Sequence, residues 1–198
     1  SRMKNAAQRM SNLINDLLEF SRVTTRGKDF TDTDLNSIVD EVLDDLEIAI
    51  KEAGAEVNVM TLPHIQADPS QMIQLFLNIL SNAVKFRREN VAPLISIDYE
   101  RIEEFSPNHN SNVEWEVITI SDNGIGFSEE YLEKIFVPFQ RLHGRSQYKG
   151  TGIGLSVCRR IVERHGGEII ASSRVGEGAT FILKLPVEAS LFTLQGEA

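Results

Sequence analysis

The stretch Leu75–Phe86, LFLNILSNAVKF, decides how the rest of the chain is read. In and beside it Ile73, Phe76, Leu77, Ile79, Leu80, Ala83, Val84 and Phe86 point to nearly every side of a helix, which predicts a largely buried element. Asn78, Asn82 and Lys85 interrupt the apolar run at spacings of four and then three, so they form one row along a single face. Burying a side-chain amide costs free energy unless a partner satisfies it. Two readings meet that requirement. The asparagines bond neighbouring backbone inside a core helix, or an amide oxygen serves a hard cation such as Mg²⁺ while Lys85 faces the phosphates such a metal accompanies.

Composition narrows the setting. The chain has 198 residues, 41% of them hydrophobic, enough for one good core and a small additional element. A formal net charge of −9 argues against broad binding to nucleic acid or to an anionic membrane surface, so an anionic ligand would need locally supplied positive charge. The one cysteine, Cys158, permits no internal disulfide and suits a reducing, cytoplasmic compartment. No apolar run approaches the ~20 residues that span a bilayer, and no signal peptide is recognisable.

The first twenty-odd residues carry heptad-like rows. Met3, Met10 and Leu17 repeat every seven, Ala6, Leu13 and Phe20 form a second row, and Ala7 and Ile14 a third. So wide a stripe fits one helix of a four-helix bundle and implies partner helices. Thr24–Lys28 reads as a junction. A strand is expected over Phe30–Leu35, an acidic amphipathic helix over Asn36–Glu52 with Ile48 on its apolar side, and short strands at Glu56–Met60 and His64–Ala67 around a turn at Pro63. Asp68-Pro69-Ser70 then sets a cap and a first-turn proline at the head of the opening helix.

Downstream, Leu94–Arg101 and Val113–Asp122 read as strands separated by a polar loop over Ser106–Asn112. Alternation puts Asp122 on the same side as Ile118 and Ile120, an unusual place for a carboxylate that has no specific partner. Asn123-Gly124-Ile125-Gly126 follows, where glycine allows close backbone approach. Phe136–Phe139, FVPF, is an apolar anchor. Gln140–Gly150 contains no acid but holds Arg141, Arg145 and Lys149, a cationic loop with the composition of a lid. Gly150-Thr151-Gly152-Ile153-Gly154 opens a helix to His165, and glycines there leave amides free to cradle phosphate. Strands Glu168–Ser173 and Ala179–Pro186 flank a Gly176-Glu177-Gly178 hairpin.

Singly, these signals are weak. Gly150–Gly154 lacks the P-loop spacing, and no βαβ frame precedes it as a dinucleotide site would require. Together they are compatible with one pocket, in which Asp122 would read adenine, Asn82 would hold a metal, and Lys85, the basic loop and the glycine amides would receive phosphates.

In these blocks the sequence resembles the ATP-binding catalytic domain of bacterial sensor histidine kinases, within the superfamily of gyrase, heat-shock chaperone and mismatch-repair ATPases. The resemblance runs over about Phe30–Pro186 and rests on NILSNAVKF (Asn78–Phe86), DNGIGF (Asp122–Phe127), FVPFQRL (Phe136–Leu142), GTGIGL (Gly150–Leu155) and GEGATF (Gly176–Phe181). The lid wording FQRLHGR is most similar to phytochrome and PAS-linked sensor kinases. The implied fold is an α/β two-layer sandwich. A mixed, largely antiparallel sheet is covered on one face by helices, carries an ATP lid and is preceded by one long bundle helix. The implied organisation is a partial dimerisation domain at 1–28, an ATP-binding domain at 29–187 and a tail at 188–198.

By the same resemblance, ATP and Mg²⁺ are the cofactors. Asn82 coordinates Mg²⁺ and Asn78 supports it; Lys85 contacts phosphate and Phe86 lies beside the nucleotide. Asp122 accepts the adenine amino group with Thr180 assisting, and Gly124, Ile125 and Gly126 shape the base pocket. Gly150, Thr151, Gly152, Gly154 and Leu155 form the lid hinge and cradle, with Arg141 and Lys149 among the lid contacts. The implied partners are a phosphoacceptor helix, a response regulator receiver domain and a second copy joined through the N-terminal helix; nucleic acid and direct membrane contact are not expected.

The sequence also departs from the family. Arg87 stands where a small hydroxyl residue is common, and no role is assigned to it. Residues 2–22 resemble the second dimerisation helix, ending in LLEFSR, so the acceptor histidine is expected upstream of Ser1 and autophosphorylation of this chain alone is not. His64, His109, His143 and His165 read as structural or surface residues. Two other functions stay open: a nucleotide-sensing or dimerisation module without kinase activity, and an ATP-hydrolysing or serine-phosphorylating relative. The last is disfavoured because Asn78 occupies the position of the glutamate base such ATPases need.

Overall fold

The computed structural model describes residues 27–106, 111–140 and 151–187, together with Ser11, Ile14, Leu18 and Ser21, which are helical. Most of the upstream heptad helix, the loop at 107–110, the lid at 141–150 and the tail from 188 lie outside the described residues.

A short strand β1 (Thr31–Asp34) leads into helix α1 (Leu35–Asp45). The Asp34 side chain caps that helix, accepting from Asn36 N at 3.0 Å and from Ser37 Oγ at 2.7 Å. Bonds from Ser37 and Asn36 hold its carboxyl at about 2, well below the ordinary carboxylate range. The expected single helix over Asn36–Glu52 is broken at Leu46, whose φ of −93° and ψ of 1° end α1 before α2 (Glu47–Ala53) begins. The break keeps Leu46 and Ile50 against the core but turns Ile48 outward, at 71% exposure, against expectation. Gly54, at φ +62°, closes α2 in the left-handed conformation that favours glycine.

Strands β2 (Glu56–Val59) and β3 (His64–Ala67) do not pair with one another across Pro63. The first runs parallel to β4 (Leu94–Ser106) at the edge of the main sheet, whereas the second forms a separate antiparallel pair with β1. Asn36 explains the split. Its amide donates to Leu62 O and accepts from Leu62 N, both at 2.8 Å, drawing that segment towards the head of α1.

Helix α3 (Pro69–Lys85) begins as its sequence dictates, with Asp68 accepting from Ser70 N at 3.0 Å and Gln71 N at 3.3 Å. After it, β4 and β5 (Ser111–Asp122) pair through the whole ladder from Ile95↔Asp122 to Ser106↔Ser111. Both outlast the expected limits because the distal rungs, from Ile102↔Trp115 to Ser106↔Ser111, are joined by backbone pairing, which leaves no mark in the apolar pattern. Helix α4 (Gly154–Arg164) starts later than the glycine run suggested, and β6 (Glu168–Arg174) and β7 (Gly178–Pro186) close the sheet.

The main sheet has the order β2-β4-β5-β7-β6, antiparallel except for the β2–β4 pair. One face carries Ile95, Ile97, Ile118, Ile120, Phe181, Leu183 and Leu185, on which α1, α3 and α4 bury Val39, Leu75, Phe76, Ile79, Ile161 and Val162. Each large side chain so buried contributes roughly 1.5–3 kcal/mol. This layer fixes α3 over the end of β5, where the unusual residues gather.

Candidate nucleotide site

Asp122 ends β5 on the helix-covered face, opposite Ala179 in the ladder. Its Oδ1 accepts from Gly124 N at 2.8 Å and Ala179 N at 3.4 Å, and among the described residues Oδ2 makes no hydrogen bond. Burial pushes the carboxyl above its ordinary range, and the two amide donors only partly oppose that. A half-buried carboxylate with one oxygen pinned and the other available is a directional acceptor.

The loop after Asp122 fits closely against the end of α3. Ile125 N donates to Phe86 O at 2.9 Å, and a Cβ on Gly124 would lie 2.4 Å from that same carbonyl oxygen. The loop is equally tied to the β6–β7 hairpin. Gly176 N donates to Ile125 O at 2.7 Å, Phe127 N to Ser173 Oγ at 2.9 Å, and Ser173 Oγ to Gly178 O at 2.7 Å. Gly126, at φ +60°, passes close to the carbonyls of Arg174 and Gly178.

Eight residues back along α3, Asn78 Nδ2 donates to Gly154 O at 3.3 Å, so the amide is spent on the start of α4. Asn82 lies between, half-buried, and among the described residues its side-chain amide makes no hydrogen bond. The rise of a helix places about 12 Å between the Asn78 and Phe86 ends. Lys85 Nζ lies over the Phe86 ring, 4.5 Å from its centroid. The amide pair is thereby differentiated, one structural and the other available to a hard cation.

At the far end, no side chain among the described residues caps α4, and Gly152 takes φ +82° just before it. Phe139 N donates to Gly152 O at 3.0 Å, bringing together the two feet of the segment between them. Thr151, Gly152, Gly154 and Leu155 stand here, half-buried. Arg141, Arg145, Lys149 and Gly150 lie outside the described residues.

Thr180 is not brought to this site. Alternation along β7 puts Ala179 on the face of Asp122, and Thr180 on the opposite face with Ser121, whose Oγ is 3.0 Å from Thr180 Oγ1. The residue paired with Asp122 therefore offers a backbone amide and a methyl group rather than a hydroxyl. Sequence reading also missed Arg88 and Asn123, which brace the loop after β5. The available signal was an arginine directly following the Lys85-Phe86-Arg87 run in a chain of net charge −9.

None of the described histidines stands in this row. His165 is buried at the end of α4, and His64 is exposed beside Asp32; His109 and His143 lie outside the described residues. No helix among the described residues is long and apolar enough to cross a membrane.

This geometry agrees with a family match. The chain belongs to the histidine kinase-, DNA gyrase B-, and HSP90-like ATPase family, matched over residues 67–189. Within that family it is an ATP-binding catalytic domain of the sensor histidine kinase kind. It is 40% identical over 178 residues to a phytochrome-like protein of Synechocystis sp., which covers 90% of this chain and 22% of that protein. It is 38% identical to the adaptive-response sensory kinase SasA of Prochlorococcus marinus, over 93% of this chain and 47% of that one. The chain thus spans less than half the length of these relatives. The catalytic domain of histidine kinase ThkA superposes with a TM-score of 0.66 at 28% identity, covering 82% of this chain and 99% of that domain. A crystal structure of ThkA with the response regulator protein TrrA matches at a TM-score of 0.69 and 26% identity, over 94% of this chain and 50% of that one.

Proposed function

We propose that this chain binds Mg²⁺–ATP along α3 and, in its parent protein, transfers the γ-phosphoryl group to a histidine on a dimerisation helix. The observation that carries the reading is the contrast between the two asparagines. Asn78 is bonded to Gly154, while Asn82, on the same helix face, keeps its amide for a ligand.

In this reading Asp122 accepts the adenine amino group through Oδ2, and Gly124, Ile125 and Gly126 wall the base. Asn82 coordinates Mg²⁺, which neutralises phosphate charge when bound. Lys85 and the amides at Thr151–Leu155 receive phosphate oxygens, Phe86 flanks the nucleotide, and Arg141, Arg145, Lys149 and Gly150 contribute from the lid. Thr180 is left out because it faces away. Phosphoryl transfer demands positioning and charge neutralisation more than covalent help, and a neutral imidazole is already nucleophilic, so the site needs no strong base. Residues 1–28 then belong to a dimerisation domain, 29–187 to the ATP-binding domain and 188–198 to a tail. The partners are a second copy, the acceptor helix and a response regulator, of the kind seen with ThkA, in the cytoplasm.

The test is incubation with γ-labelled ATP. The chain binds the nucleotide without retaining label, and label passes to an added polypeptide carrying the acceptor helix. Stable acid-labile phosphate on this chain alone would overturn the in-trans transfer. Binding with no transfer to any acceptor would favour a nucleotide-sensing module.

A further inference from the structure

Arg88 lies just beyond α3, half-buried, and reaches back over the base loop. Its Nε donates to Asn123 O at 2.8 Å and its Nη1 to Gly176 O at 3.0 Å. Asn123 returns the grip, accepting from Leu94 N through Oδ1 at 2.9 Å and donating from Nδ2 to Ala92 O at 3.0 Å. The two carbonyls that Arg88 joins belong to different segments, the turn after β5 and the β6–β7 hairpin. Those same segments supply the two amides, Gly124 N and Ala179 N, that pin Asp122 Oδ1.

A guanidinium is suited to this work. Its donors are planar and fixed in angle, so two carbonyls held by one arginine are held relative to one another, which a single ammonium point charge does not achieve. Among the described residues Arg88 makes no ion pair. Its charge is directed at backbone oxygens, as in a brace rather than a surface salt bridge.

We propose that Arg88 is a positioning residue for base recognition. By tying the Asn123 and Gly176 carbonyls together, it sets the spacing of the two amides that orient Asp122, and so directs the Asp122 Oδ2 atom at the adenine. The inference rests on the nucleotide reading above and extends it from the group that touches the base to the group that aims it.

The experiment is calorimetric titration of ATP and of GTP into the wild-type chain, R88Q, R88K, D122N and R88Q/D122N, with denaturant midpoints recorded for each. Replacing Arg88 by Gln raises the Kd for ATP about tenfold and lowers the preference for ATP over GTP, since two bonds from a charged donor are lost. Lys at this position restores only part. In the D122N background the same change moves Kd less than about twofold, because the acid being positioned is gone. Full multiplication of the two effects would overturn the proposal, as would R88K behaving like wild type. If R88Q fails to fold, R88K and its D122N double variant complete the cycle. Unchanged ATP affinity in D122N alone would instead sink the nucleotide reading and this inference with it.

Discussion

The imidazole of His165 accepts the backbone N–H of Asp68 through Nε2 at 3.1 Å, although the residues are 97 positions apart. Its Nδ1–H donates to Ile161 O at 2.7 Å, which fixes one neutral tautomer, and its ring stacks on Phe30 at 4.4 Å. Asp68 in turn caps α3 and accepts from Lys28 N at 2.7 Å, while Arg164 donates to Lys28 O at 2.7 Å and Gln71 Oε1 at 2.9 Å. The end of α4, the head of α3 and the entry segment at residues 27–30 are therefore one knot, remote from the glycine end of α4.

Burial holds His165 below its ordinary value of 6.5; Arg164 acts in the same direction, and the Ile161 carbonyl and Asp68 oppose them. The unfolded chain then binds more protons, so the contribution is complete above pH 6.5 and is lost as pH falls through the lower folded value. We expect the urea midpoint to drop between pH 7.5 and 5 in the wild-type chain. His165→Phe keeps the stack but not the acceptor. It should cost about 1–3 kcal/mol at pH 7.5 and flatten that drop. The Asp68 carboxyl titrates outside this window. Burial raises its pKa, but Ser70, the Lys28 and Gln71 amides and Arg164 outweigh burial and leave it below 3.8. An undiminished drop in the variant would remove His165 as its source.

Asp122→Asn should separate stability from binding. Burial raises the pKa of this acid, so its ionised form opposes folding at neutral pH, and that penalty fades as pH falls through the folded value. The variant should melt at or above the wild-type temperature at pH 7.5, with the difference shrinking on acidification. ATP affinity, followed by calorimetry, should fall at least about tenfold, because an amide presents a donor as readily as an acceptor to the base. A less stable protein with intact affinity is the outcome that contradicts the assignment.

Asn82→Ala and Asn78→Ala should not behave alike. The first removes an amide with no hydrogen bond among the described residues, so stability should stay within about 0.5 kcal/mol while the difference between ATP titrations with Mg²⁺ and with a chelator disappears. The second breaks the bond to Gly154 and should cost about 1 kcal/mol, with Mg²⁺ dependence kept. Surviving metal dependence in Asn82→Ala would mean that another ligand holds the ion.

The row on α3 was legible because a helix converts spacing directly into a shared face, and three polar side chains aligned within an apolar run stand out there. Asp122 was legible for the corresponding reason in a strand. Thr180 misled because a one-residue offset along β7 moves a side chain to the other face, and only the ladder with β5 fixes which residue meets Asp122. Arg88 stayed hidden because its partners are backbone carbonyls far away in sequence, so the basic run marked the residue without showing what it holds. The break at Leu46 and the crossing of β2 into the main sheet depend on what packs against them, so local pattern could not supply either.

Gly124→Ala tests whether the two ends of the site are in register. An added Cβ would meet Phe86 O at 2.4 Å and Asp122 Oδ1 at 2.7 Å, and the first of these is backbone that can move only if α3 and the base loop separate. Relieving that overlap should cost about 2 kcal/mol of stability. It should lower ATP affinity further than the stability loss explains, since the acid and the Asn82–Lys85 row are displaced relative to one another. Gly54→Ala provides the control. Its φ of +62° strains any Cβ by about 1 kcal/mol, but among the described residues nothing lies within 4 Å and the site is elsewhere, so affinity should hold. Equal affinity losses in the two variants would show that binding follows global stability, and that contact between Phe86 and the Gly124 turn does not set the spacing of the site.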